Sequence, residues 1–282
     1  MSHTFYSVRS GKNKNAKGFE LPELQELFLR MYAIFKEEGY FDEYLGSSCV
    51  DEGEISGKVK DVELEILLKI RKRSLWPIDE IHVSQYSEDD LFDMIEFLYQ
   101  NVSKPIDGDY HSYAQCGMHW HIFNKDEGEN YFLEKINDIL SLYKKPFELS
   151  RHGEILHKPE QGFEAIFDAD IPSNNENINA RINSATLRYR RHGSTLDDRR
   201  QAVRDLADVL EYLRPQVKSL ITKADEQDLY NIANNFGIRH YNDKQKTNYD
   251  IALWLSWMFY YYLATIHVLL RKISHDELNK LN

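Results

Sequence analysis

The chain has 282 residues, 42% of them hydrophobic and 29% charged, which is typical of a soluble globular protein with one or two domains. Its net charge of −11 excludes broad, non-specific coating of DNA but leaves room for a local basic groove. Two cysteines are too few for a disulfide framework, and the N-terminus lacks an apolar leader, so we expect a cytoplasmic protein.

The first part of the chain is predicted to mix helices and strands. Residues 9–18 are basic and polar, and residues 1–18 are expected to form a flexible N-terminus. Residues 19–170 are predicted to form an N-terminal α+β domain. Its predicted elements are a helix over 19–40 with Pro22 in its first turn, loops over 46–60 and 104–123, helices over 61–73, from Ser87 and over 126–143, a strand over 80–85, and a hairpin over 147–156.

The last part, residues 173–282, is predicted to be a helical bundle, so the predicted fold class is α+β and mostly α. Thr195 is expected to cap its second helix, and Pro215 to kink or split that helix. Short loops between helices make neighbours antiparallel. The four predicted helices cover roughly residues 175–192, 195–222, 225–237 and 249–273.

Residues 251–270 form a run of twenty without a formal charge, long enough to span a bilayer. Tyr260, Tyr261 and Tyr262 lie at its centre, however, whereas membrane proteins place aromatic belts at the two ends. We therefore expect a buried central helix of the bundle and no membrane partner.

A polar turn before this helix offers the clearest chemical interpretation. Arg239, His240 and Asn242 combine a fixed cation, a group that titrates near neutral pH and an amide, which together can hold and cleave a phosphodiester. They follow Gly237, a predicted helix cap, and so lie on a loop. The alternative is a structural role, with the arginine paired to a carboxylate and the histidine bonded to backbone.

Two further groups have alternative interpretations. Metal binding by the loop His111, Cys116, His119 and His121 would use zinc-type ligands, and the alternative is a packed aromatic loop without a metal. RNA binding by Arg188, Arg190 and Arg191 would track a phosphate backbone. The alternative there is an ion-paired helix face, because aspartates are interleaved with the arginines.

Three segments resemble a widespread prokaryotic protein family, and the C-terminal hundred residues resemble the HEPN superfamily of helical bundles from abortive-infection, toxin–antitoxin and CRISPR-associated systems. The second resemblance is carried by the four-helix plan and the arginine-containing turn before the last helix. The three segments read DDRRQAVRDLADVLEYLRP, NIANNFGIRHYNDKQKTNYD and LWLSWMFYYYLATIH.

The resemblance implies a metal-independent endoribonuclease or a non-catalytic relative, often dimeric. Active members carry Arg, four to six residues, then His; the arginine holds the phosphate and the histidine transfers the proton. Arg239 matches the arginine position, but Gln245 stands where the histidine is expected. Either His240 transfers the proton or the chain has lost activity, and Gln245 then contributes to RNA binding.

We therefore predict an RNA-binding or RNA-cleaving protein of bacterial defence or stress response that acts as a homodimer without a cofactor. One alternative is a non-catalytic protein that dimerises through its bundle and recognises a protein partner of a defence system through its N-terminal part. A second alternative is a metal-dependent hydrolase that holds zinc at the His/Cys loop.

Overall fold

A computed structural model describes residues 5–13, 17–51, 53–218, 221–224, 227 and 250–281. Over these residues the protein is α+β and mostly helical, as predicted, and its strands form three two-stranded sheets. The chain divides into two compact units, which we call unit 1 (Met1–Leu156) and unit 2 (His157–Asn282).

Unit 1 consists of helices interrupted by hairpins. In chain order its elements are α1 (Tyr6–Arg9), α2 (Leu21–Glu37), α3 (Asp42–Leu45), β1 (Gly46–Cys49), β2 (Gly53–Ser56), α4 (Val62–Lys69), α5 (Glu80–Val83), α6 (Glu88–Asn101), β3 (Lys104–His111), β4 (Gly117–Asn124), α7 (Lys125–Leu140), β5 (Phe147–Leu149) and β6 (Ile155–His157), which ends at the boundary with unit 2.

Local signals account for most of these helices. Pro22 lies in the first turn of α2, where its missing N–H costs nothing. Ser87 and Asp90 form a reciprocal capping box at the start of α6, as expected from a serine followed by acidic residues. Inside the unit, the buried ring of Phe35 meets Phe132 edge to face, with 5.3 Å between ring centroids, and so ties α2 to α7.

Three predictions for unit 1 were wrong. Residues 80–83 form a helical turn rather than a strand, because the side chain of Asp79 caps it by accepting from the N–H of His82. Residues 46–60 and 104–123 were predicted to be loops, but they contain the β1–β2 and β3–β4 hairpins. Glycine and proline are typical of loops, which is why loops were predicted. Here these residues lie in the turns of the hairpins, at a strand end or at an irregular position of an antiparallel pair.

Unit 2 contains α8 (Glu164–Asp168), α9 (Glu176–Arg190), α10 (Leu196–Val217) and α11 (Ile251–Leu281) within its described part. Thr195 caps α10 in a capping box with Asp198, as predicted. α10 is not split at Pro215, because it continues to Val217. It packs against both α9 and α11. The predicted helix over 225–237 lies almost wholly outside the described residues, so a four-helix, HEPN-like bundle stays a prediction.

The boundary between the units lies earlier in the chain than predicted. We expected it near residues 170–173, but unit 2 begins at His157. The intervening segment belongs to unit 2 because its rings pack on α11: Phe163 stacks on Tyr260 at 4.2 Å between centroids, and Phe167 lies 6.1 Å from Phe259.

One helix in the described part of the chain, Ile251–Asp276, is long and apolar enough to cross a membrane, and 56% of its apolar window is buried. Met258 and Ile266 are among its fully buried side chains. His267 also lies on the buried side; burial, and secondarily the charge of Arg271, lowers the pKa of its imidazole. The buried side of α11 agrees with the expectation of a core helix.

Candidate metal centre

The β3–β4 hairpin brings together three of the side chains predicted to bind a metal. In its register His111 pairs with Gly117, and Asp109 pairs with His119, so the two histidines are diagonal neighbours on one face of the hairpin. Their ring centroids are 5.5 Å apart. Cys116 lies in the connecting turn, three residues before His119. The hairpin, rather than an irregular loop, therefore positions these ligands.

Backbone conformation explains why this turn closes. Ala114 and Gly117 adopt left-handed conformations, with φ of 48° and 99° respectively. Glycine takes such a conformation without the steric cost that a side chain adds. Gly108 has a different role, because a Cβ atom there would lie 2.1 Å from the carbonyl oxygen of His119. The strands approach this closely next to His119 because residue 108 has no side chain.

The fourth ligand comes from the β1–β2 hairpin and was not predicted. Cys49 is the last residue of β1, pairs with Gly53 and is buried. Its Sγ lies 3.7 Å from Nδ1 of His111, across 62 residues of sequence. We missed it because we interpreted residues 46–60 as a loop. The available signal was that Cys49 is the only other cysteine of a chain whose first metal candidate already contained one.

One group of side chains among the described residues could hold a metal ion, and it consists of Cys49, His111, Cys116 and His119. Each contributes one donor atom, and these atoms all lie within 4.8 Å of one another. Sγ of Cys116 lies 3.2 Å from Nε2 of His119. Zinc bonds of about 2.0–2.3 Å in a tetrahedron place donors roughly 3.3–3.8 Å apart. Since every separation is within 4.8 Å, the donors have to approach one another by at most about 1 Å when a metal binds.

Asp51 supports this group from outside. Its Oδ2 lies 3.1 Å from Nε2 of His111, and its backbone N–H donates to Sγ of Cys49 at 3.4 Å. A carboxylate on the far nitrogen orients a metal-binding imidazole and keeps the other nitrogen available to the metal. Asp51 thus contacts one histidine and one cysteine of the group.

His121, the remaining predicted ligand, lies outside the group. Asp107 pairs with Ile122 and Gly108 with Trp120, so His121 is the extra residue of an irregular register. Such a bulge interrupts the alternation that would have placed it beside His119. Its Nε2 lies 3.2 Å from Oδ2 of Asp109, and its side chain is 59% exposed. The prediction of a metal ligand at His121 is therefore not supported.

In unit 2, the three arginines predicted to bind RNA have different environments. Arg188 pairs with Asp205 at 3.3 Å, which matches the alternative of an ion-paired helix face. Arg190 is only 7% exposed; its Nε donates to the carbonyl oxygen of His157, and its guanidinium lies 4.7 Å from the ring centroid of Phe167. Burial removes Arg190 from contact with a phosphate backbone. Arg191 is exposed, directly after α9.

Two imidazoles lie at the same corner of unit 2, where α9 passes into α10. The rings of His157 and His192 have centroids 5.7 Å apart. Arg199, in the first turn of α10, lies 5.5 Å from the ring centroid of Tyr189. The corner therefore combines two imidazoles with arginine side chains.

The predicted catalytic residues Arg239, His240 and Asn242, and the predicted RNA-binding residue Gln245, lie outside the described residues. Comparison with known proteins gives no match to a family model, to a curated protein or to a solved structure. The resemblance to HEPN proteins therefore stays a prediction from the four-helix plan and the arginine-containing turn.

Proposed function

We propose that unit 1 binds one zinc ion through Cys49, His111, Cys116 and His119 and uses it as a structural centre. The observation that carries the proposal is the convergence of four donor atoms within 4.8 Å. Two thiolates and two imidazoles are a typical donor set for structural zinc. Asp51, in contact with two of the four, supplies the outer support that such ligands need.

The donor set favours a structural role over hydrolysis. A catalytic zinc ion keeps one coordination position for water or substrate, whereas four protein ligands complete the tetrahedron. The predicted alternative of a metal-dependent hydrolase is therefore the weaker proposal. The metal would instead join the β1–β2 hairpin to the β3–β4 hairpin. The latter exposes Tyr110 and Ile122, so the proposal agrees with the alternative of a partner-recognition role for the N-terminal part.

Metal analysis of the purified full chain tests this proposal. We expect about one zinc ion per chain in the wild type, the occupancy of a tetrahedral structural site. Cys49→Ser and His119→Ala should each lose it, because each removes one ligand. Cobalt substitution should give thiolate-to-metal charge-transfer absorption in the wild type but not in Cys49→Ser or His119→Ala.

His121→Ala is the matched control, since it removes a histidine of the same strand that lies outside the group, and it should retain the metal. Full metal content in Cys49→Ser, or loss of metal in His121→Ala, would contradict the proposed ligand set.

We propose RNA binding or metal-independent RNA cleavage by unit 2 as a second candidate function. The described residues support it through the corner that carries His157, His192 and Arg191. Two imidazoles can serve as general acid and general base for attack by the ribose 2′-OH, and an arginine can hold the phosphate. The sequence adds Arg239 and His240 as the predicted catalytic pair.

Labelled RNA incubated with the protein in EDTA tests this candidate, because the predicted reaction needs no metal. Arg239→Ala is expected to lower the cleavage rate by about 100-fold or more, the loss typical of removing a preorganised charge-stabilising group. His240→Ala should be similarly damaging, and Gln245→Ala should have a smaller effect, because glutamine can only position the substrate. Absence of cleavage by the wild type would rule out this candidate function, and full activity in His240→Ala would rule out the predicted catalytic role of His240.

A further inference from the structure

α11 exposes an apolar stripe on the side that does not pack against the described part of unit 2. Leu253 is 64% exposed, Trp257 42% and Val268 58%, and Ala264 is exposed between them. Spacings of four, seven and four residues keep these side chains on one face of a helix. The stripe runs for about 22 Å at 1.5 Å per residue. A continuous apolar surface of this kind marks an interaction site.

The stripe has a rigid aromatic part. Trp257 stacks on Tyr261 with 5.3 Å between ring centroids and 15° between planes, and it meets Trp254 edge to face, also at 5.3 Å. Large rings held by their neighbours contribute contact area at low conformational cost, and Trp and Tyr are enriched among the residues that dominate binding energy at protein interfaces.

The two ends of the stripe carry opposite charges, an aspartate at the N-terminal end and an arginine at the C-terminal end, both exposed. The order of the exposed side chains along the helix is also symmetric about a midpoint. Three pairs of exposed residues are each centred on one point, midway between residues 260 and 261: Asp250 with Arg271, Leu253 with Val268, and Trp257 with Ala264.

We propose that this stripe is the contact between two copies of the chain, related by a two-fold axis with the two α11 helices antiparallel. A two-fold contact requires a surface that is complementary to itself. About an axis at the midpoint, the carboxylate of Asp250 faces Arg271 of the second copy. The large ring of Trp257 likewise faces the small side chain of Ala264 of the second copy, and the antiparallel helix dipoles attract.

A lipid surface fits the stripe less well than a second copy does. Helices that lie on membranes flank their apolar face with lysines and arginines, which attract anionic headgroups. This chain has a net charge of −11, and the N-terminal end of the stripe is acidic. The pairing of charge and of side-chain size about one midpoint also has no use against lipid, whereas it determines the register of two antiparallel helices.

Sedimentation equilibrium of the full chain tests the proposal by measuring the mass of the protein in solution. The variants exchange large and small side chains of the stripe. We expect the wild type to have a dimeric mass at micromolar concentration. Trp257→Ala leaves a gap and Ala264→Trp places two large rings against each other, so each should raise the dimer dissociation constant by about 10-fold or more. The double variant should restore the dimer, because residues 257 and 264 meet only between copies.

Tyr212→Ala, an exposed aromatic on α10 outside the stripe, is the matched control and should leave the dimer unchanged. Circular dichroism establishes that each variant is folded. A wild-type protein that is monomeric overturns the proposal. So does a Trp257→Ala variant that still dimerises, or a double variant that stays monomeric. If instead the wild type is monomeric and co-sediments with phosphatidylcholine–phosphatidylglycerol vesicles, and Trp257→Ala does not, the stripe binds lipid.

Discussion

Removal of zinc from the wild-type protein is expected to lower the melting temperature of unit 1 by roughly 8–16 °C. A metal that binds only the folded state stabilises it by about 4 kcal/mol when free metal stands at about 1,000 times the dissociation constant. For a domain of about 150–250 residues, each kcal/mol shifts the melting temperature by roughly 2–4 °C. Zinc would stabilise the contact between Cys49 and His111, which joins two hairpins across 62 residues of sequence.

Calorimetry with added zinc and with EDTA measures this effect. Cys116→Ser should melt at the lower temperature under both conditions, because three ligands bind zinc far less tightly than four. His121→Ala should respond to EDTA as the wild type does, because its side chain pairs with Asp109 instead. An equal melting temperature with and without EDTA in the wild type would exclude a structural metal, whatever the metal content of the purified protein.

Phe259→Ala is expected to lower the free energy of unfolding of unit 2 by about 3–5 kcal/mol, the cost of replacing a buried phenylalanine by alanine. The ring of Phe259 is fully buried and stacks on Tyr189 with 3.9 Å between centroids and 9° between planes. Phe167 contacts it from the segment before α9. The substitution would leave a cavity where three parts of the unit meet, and this is why we expect a loss at the upper end for single substitutions.

Urea unfolding followed by circular dichroism measures the loss. Tyr212→Ala removes an aromatic side chain that is 61% exposed and should change the free energy of unfolding by no more than about 0.5 kcal/mol. Similar losses in the two variants would contradict the placement of Phe259 in the core. The transition of unit 1, identified by its response to EDTA, should be unchanged in both.

The helices were the part of the fold that sequence periodicity predicted well. The start of α6 at Ser87 and that of α10 at Thr195 depend on capping bonds between residues three apart, so the local sequence carries the whole signal. The hairpin predicted over 147–156 is present as β5–β6. The β3–β4 hairpin was missed because its Gly108 and Gly117 are as typical of loops as of strands. What makes them parts of a hairpin is the partner strand, and strand pairing is not a local property.

The residues of the candidate metal centre likewise divide into those that the local sequence predicted and those that it did not. His111, Cys116 and His119 lie within nine residues of each other and were predicted from their side-chain chemistry. Cys49 could not be assigned to them, because no spacing rule connects residues 62 apart. His121 was included by the same local reasoning, and a shift in strand register excluded it.

The sequence by itself determined the mostly helical α+β class, the caps of the long helices and the donor chemistry near residue 116, since each depends on neighbours along the chain. Only the tertiary structure decided which side chains meet. It brought Cys49 to the histidines, assigned Phe163 and Phe167 to unit 2, and buried Arg190 while leaving one face of α11 exposed. Long-range packing decides these contacts, because the burial of a side chain depends on elements distant in sequence.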